Sequence, residues 1–165
     1  MDLFHDNRVK LAFVVALLGL SGVLTWRFVQ SDTAPSEQSF FYDQSAKKLF
    51  AARRDLIPPA RGIDDAAEDA VRAVVVSTNG RPHQRSTWRI AYLETNTPEL
   101  KQQFETARSN RTALAMGHGA AQDHRLVKRP EDAAWVPLST PEGERIVTEW
   151  TSWGSGDTTP VVCSP

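Results

Sequence analysis

The chain has 165 residues, a formal charge of −1, 41% hydrophobic residues and a single cysteine. So even a balance gives no electrostatic footprint for nucleic acid, and one thiol excludes an intramolecular disulfide and a zinc ribbon. Cys163 is followed only by Ser164 and Pro165, one residue short of a prenylation signal, so it reads as a small buried hydrophobe or as a link between two copies.

Residues 1–10 read as a short N-terminal tail, and residues 11–29 as a membrane anchor. Leu11 to Trp26 carries no formal charge. With Val9, Phe28 and Val29 the apolar span reaches about 20 residues, enough to cross ~30 Å of hydrocarbon as a helix. Leu11, Phe13, Leu17, Leu18 and Leu24 supply the apolar surface, and Trp26 falls where an interfacial aromatic belongs. Lys10 and Arg27 bracket the span, where long side chains reach the headgroups. A cleaved signal peptide should end in small residues, whereas Thr25-Trp26-Arg27-Phe28 is bulky and charged. A buried core helix fits less well, because nothing this apolar recurs to pack around it. Arg8, Lys10 and the amino terminus outweigh Arg27. The excess predicts a single pass through the cytoplasmic membrane with the C-terminal domain extracytoplasmic.

Residues 30–39 (QSDTAPSEQS) are polar and serve as a tether. The domain then occupies residues 40–165. Phe40 to Tyr42 and Lys48 to Ala52 flank a turn at Asp43 to Lys47 and predict a hairpin. Pro58 and Pro59 each lack an amide donor, so Leu56 to Pro59 crosses irregularly. Ile63 to Ala70 carries four acids and predicts one or two helical turns. Val71 to Thr78 is the strongest strand, its three consecutive valines fit for burial on both faces. After a basic loop at Asn79 to Arg85, Thr87 to Glu94 returns as a second strand.

Thr97-Pro98-Glu99 opens a helix, with a hydroxyl cap, proline at the first helical position and an acid in the first turn. It fades near Ser109-Asn110. Met116 to Gly119 reads as loop, His124 to Arg129 and Ala134 to Leu138 as short strands. A second helix opens at Thr140-Pro141-Glu142, carries Ile146, Val147, Trp150 and Trp153 on one stripe and closes at Gly154. Val161 to Cys163 supplies an edge strand. RIAYLETNTPE (89–99) and DAAWVPLSTPE (132–142) echo each other as a strand leading into Thr-Pro-Glu.

No constellation stands out for chemistry, and neither a cofactor nor a resident metal is expected. Metal-ligand candidates are His83, His118, Asp123 and His124, which would serve a hydrolase if they converged. The six-residue spacing of His118 and His124 does not place two rings on one helical face, and no H-E-x-x-H occurs. Asp64, Asp65, Glu68 and Asp69 lack the spacing of a calcium loop. No G-x-S-x-G or S-x-x-K is present. Trp135, Trp150 and Trp153 fit a core better than a binding face. Among the cations Arg outnumbers Lys, 14 to 5, which favours forked pairing with carboxylates.

The anchor, FFYDQSAKKLFAARRD, RIAYLETNTPEL, WVPLSTPEGERIVTEW and the terminal PVVCSP together resemble uncharacterised bacterial single-pass membrane-anchored proteins of similar length. The resemblance implies an anchor with a small domain and transfers no functional residue. The layout also looks like that of pseudopilins, although their acid within the apolar segment and their processing site are absent here. The expected architecture is α+β: a transmembrane helix, then an antiparallel sheet of four or five strands with two helices packed on it. The expected role is a membrane-anchored envelope protein with a non-catalytic binding or scaffolding domain. A pseudopilin-like assembly subunit and a metal-dependent hydrolase are the alternatives. Its partners would be the lipid bilayer and either another envelope protein or a second copy of itself.

Overall fold

The computed structural model describes residues 17–23, 25, 37–63, 67–154 and 158–165. The chain divides into two units, Met1–Ser36 and Glu37–Pro165. In the first, residues 17–23 are helical, with Leu17 and Leu18 exposed. Leu11, Phe13, Leu24 and Trp26 lie outside the described residues. Among the described residues, no helix is long and apolar enough to cross a membrane.

The second unit is α+β. Its strands are β1 (Gln38–Asp43), β2 (Lys48–Arg53), β3 (Ala70–Ser77), β4 (Trp88–Asn96), β5 (Arg125–Lys128), β6 (Val136–Pro137) and β7 (Val161–Val162). Its helices are α1 (Pro98–Asn110), α2 (His118–Asp123) and α3 (Pro141–Thr148). The strands form one antiparallel sheet in the order β2-β1-β3-β4-β5-β6, with β7 also paired to β3. The sheet therefore holds seven strands where four or five were expected. β6 and β7 are two residues each, within the segments Ala134 to Leu138 and Val161 to Cys163 that read as short strands.

β3 earns its central place from its valines. Its first half pairs with β1 and its second half with β7 along the same edge, while β4 takes the other. Val71, Ala73 and Val75 face one side, where they cluster with Phe40, Leu93 and Cys163, and Tyr42, Trp88, Ile90 and Trp135 pack around them. Cys163 is thus a buried core residue, and its amide donates to the Val75 carbonyl at 2.8 Å. Alternation puts Phe41, Ala70, Arg72 and Val76 on the other side. Between Val74 and Val75 the register skips Ala91, a bulge in β4 that sharpens its twist.

The β1–β2 turn is built around Asp43, which has no exposed surface. Its carboxylate accepts the Ala46 and Ile63 amides, each at 2.7 Å, and the Ser45 hydroxyl at 3.0 Å. The Ala46 amide bond, then that of Ile63, holds its pKa below the usual carboxylate range. Gly62 lets the chain approach this closely, since a Cβ there would sit 2.8 Å from the Asp43 carboxyl carbon.

Both Thr-Pro-Glu openings fold as expected. The Thr97 hydroxyl accepts the Leu100 amide at 3.4 Å and the Thr140 hydroxyl that of Gly143 at 3.1 Å, with proline opening each helix. Three local expectations need correction. The second helix stops at Thr148 and tightens into a 3-10 turn over Glu149–Ser152. There the Trp150 indole N–H bonds the Val147 carbonyl at 2.7 Å, so Trp150 is half-buried and the long stripe is broken. Ala67 to Asp69 is not helical, because Ala70 already bridges to Ala60; residues 64–66 lie outside the described set. Finally, His118 and Gly119 open α2 instead of completing a loop.

Candidate functional site

The sequence candidates do not assemble. His83 is exposed in the loop before β4. His118 is exposed at the start of α2 with Gln122 as neighbour, and Asp123 is exposed at that helix's end. The His124 Nδ1 lies 2.9 Å from the Thr97 hydroxyl, and its carbonyl takes the Thr97 amide at 2.9 Å. That ring fastens α2 to the start of α1. Among the described residues, no group of three or more His, Cys, Asp or Glu side chains is placed to hold a metal ion.

What the fold does build is a cleft of about 560 Å³ between the sheet and α1, within the range usual for small-molecule sites. Phe104, Ala107 and Arg108 approach from α1 and Arg111 from just past its end; Arg72, Glu94, Thr95 and Val127 come from the sheet; Arg54 to Pro58 close one side. Leu114, Leu126 and Leu138 extend an apolar wall. Among the described residues lining it, five arginines, 54, 72, 108, 111 and 125, meet two acids, Asp55 and Glu94. This is a local excess of positive charge in a chain whose total is −1.

Both acids are engaged already. Asp55 receives the Arg53 guanidinium through two bonds, at 3.0 and 2.8 Å, and Arg108 lies 3.8 Å away. The Arg53 bond leads in keeping Asp55 more acidic than usual. Arg108 also donates to the Asp55 carbonyl. Glu94 takes the hydroxyl of Tyr92, whose pKa is pushed up to about 12, first by burial and then by the Glu94 charge. Tyr92 thus stays a neutral donor at physiological pH.

Arg72 is held in the cleft by two contacts of its own. Its guanidinium donates to the Arg54 carbonyl at 2.8 Å and lies 5.9 Å from the centre of the Phe41 ring. Among the described residues its Nε is buried without an acceptor, and the hydroxyl of Thr95, a residue only 8% exposed, is buried without a partner. Sequence reasoning missed this site because its arginines come from scattered positions without a spacing rule. The excess of Arg over Lys was the only trace it left. No protein family, curated protein or solved structure matches the chain.

Proposed function

We propose that this is a single-pass envelope protein, held in the cytoplasmic membrane by residues 11–29, whose outer domain binds a partner without chemistry of its own. The cleft beneath α1 carries the binding half of this reading. It is concave, of ligand size, and lined by apolar side chains together with a cluster of arginines. The anchoring half rests on the uncharged run from Leu11 to Trp26.

The test uses full-length protein. It should stay with membranes through an alkaline wash, and a chain beginning at Ser31 should not; washing out of the intact protein contradicts the anchor. For binding, protein in nanodiscs is melted with and without a cell extract of small molecules and lipids. A ligand at a hundred times its Kd stabilises by about 2.7 kcal/mol. Ala107→Trp, which fills the cleft, should remove the gain. No gain, or one that survives the filled cleft, contradicts the binding role.

A further inference from the structure

Resting on the reading of the cleft as a binding site, we propose that its ligand is a small organic anion, a carboxylate or phosphate monoester carried on an apolar body. The charge points to the head group. Asp55 and Glu94 are committed to Arg53, Arg108 and Tyr92, while Arg54, Arg111 and Arg125 form no ion pair among the described residues. Guanidinium groups present planar, paired donors that match carboxylate and phosphate oxygens. Arg72 is positioned in advance by the Arg54 carbonyl and the Phe41 ring, so little side-chain freedom is lost when it captures an anion.

The unsatisfied atoms are an independent observation. Buried polar groups are almost always paired, yet the Arg72 Nε and the Thr95 hydroxyl, both in cleft-lining residues, have no partner among the described residues. One is a donor and the other can donate, so an incoming oxygen acceptor satisfies either. The apolar body follows from the remaining walls, Phe104, Leu114, Leu126 and Leu138. Those walls offer a bare inorganic anion nothing, and a neutral hydrocarbon leaves the guanidinium groups unanswered. Only a molecule with both parts meets both surfaces.

Full-length protein in phosphatidylcholine nanodiscs is titrated calorimetrically with octyl phosphate, n-octanol and inorganic phosphate, subtracting the heats of empty nanodiscs. Octyl phosphate should bind one to one and at least tenfold more tightly than either fragment. Arg72→Gln and Arg111→Gly should each weaken it roughly tenfold, the scale of one charge-assisted contact. Arg111 is left-handed, with φ 52°, so glycine suits that backbone and the folded state survives. Repeating the titration with phosphatidic acid in the nanodiscs identifies the source. A loss of octyl phosphate binding means a bilayer lipid occupies the cleft, unchanged binding means a free ligand, and both keep the anion. Octanol binding as tightly as octyl phosphate, no octyl phosphate binding by folded protein, or unchanged affinity in Arg111→Gly overturns the proposal. If Ala107→Trp still removes the stabilisation by extract, the ligand class alone has failed. If it does not, the binding role fails too.

Discussion

The two Thr-Pro-Glu units begin alike and end differently. Each starts with a threonine cap and proline, yet α1 stands over a cleft while α3 lies tight on its support. The third helical position separates them. In α1 it is Leu100, fully buried, whose side chain fills the space beneath the helix start. In α3 it is Gly143, where a Cβ would collide with the Pro137 carbonyl and sit 2.9 Å from the Leu138 Cα. One helix is propped off its neighbour by a side chain, and the other meets backbone with backbone.

A clamp then secures α3. Arg129, just past β5, reaches both Glu149 oxygens at 2.6 Å, and Asp132 and Glu142 at 3.2 Å. Its charge is firmly held, chiefly by the Glu149 bond. Among the described residues, the far end of α1 has no such clamp. Arg108 binds Asp55 at the surface, and Lys101, in the first half of the helix, binds Glu68 at 2.6 Å. The same opening signal thus yields one helix fixed for structure and one left with a ligand-sized space beneath it.

The comparison breaks most severely at its pivot. Leu100→Ala should cost about 2–5 kcal/mol, the range for a buried leucine, and denaturant melts of the full-length protein will measure it. Gly143→Ala should come next, at roughly 1–3 kcal/mol for an overpacked contact, although alanine is the better helix former. A melt no lower than the parent's would show that α3 does not need the close approach.

Arg129→Met should lower stability and remove part of the acid sensitivity. Glu142 is held below its ordinary value of 4.5 by Arg145 first and by Arg129 next, and Asp43 lies below 3.8. Depressed carboxyls stabilise the fold above their unfolded values and lose that contribution as pH falls through the folded ones. The melting temperature should therefore be level above about pH 5 and fall below about pH 4. The variant should fall less steeply, and an unchanged acid limb would refute the clamp.

The smallest effects sharpen the comparison. Thr97→Ala and Thr140→Ala should each cost about 1 kcal/mol, the usual worth of a cap. Each hydroxyl has a second partner, the His124 ring at 2.9 Å or the Pro137 carbonyl at 2.7 Å. Equal losses place the difference between the helices at the third position. A much larger loss at either cap would move it back to the opening.

What the sequence revealed was whatever one segment decides alone. The valines of β3 and both Thr-Pro-Glu openings are local signals, and they folded as read. β6 and β7 fall inside Ala134 to Leu138 and Val161 to Cys163, both read as strands, but their two-residue extent is set by the ladders their neighbours offer. The histidines drew notice by residue type, yet His124 serves to hold Thr97. The cleft arginines were invisible because the loop after β2, β3, the end of α1 and β5 meet only in the fold. Standing alone, Arg54 and Arg125 look like any solvated charge.

Hydrogen exchange on full-length protein in nanodiscs, with and without octyl phosphate, tests the central claim most directly. If the cleft beneath α1 is the binding site, ligand should slow exchange across residues 98–114 and 125–127, leaving residues 141–152 in and around α3 unchanged. Equal protection of both helices, or none at α1, would contradict it.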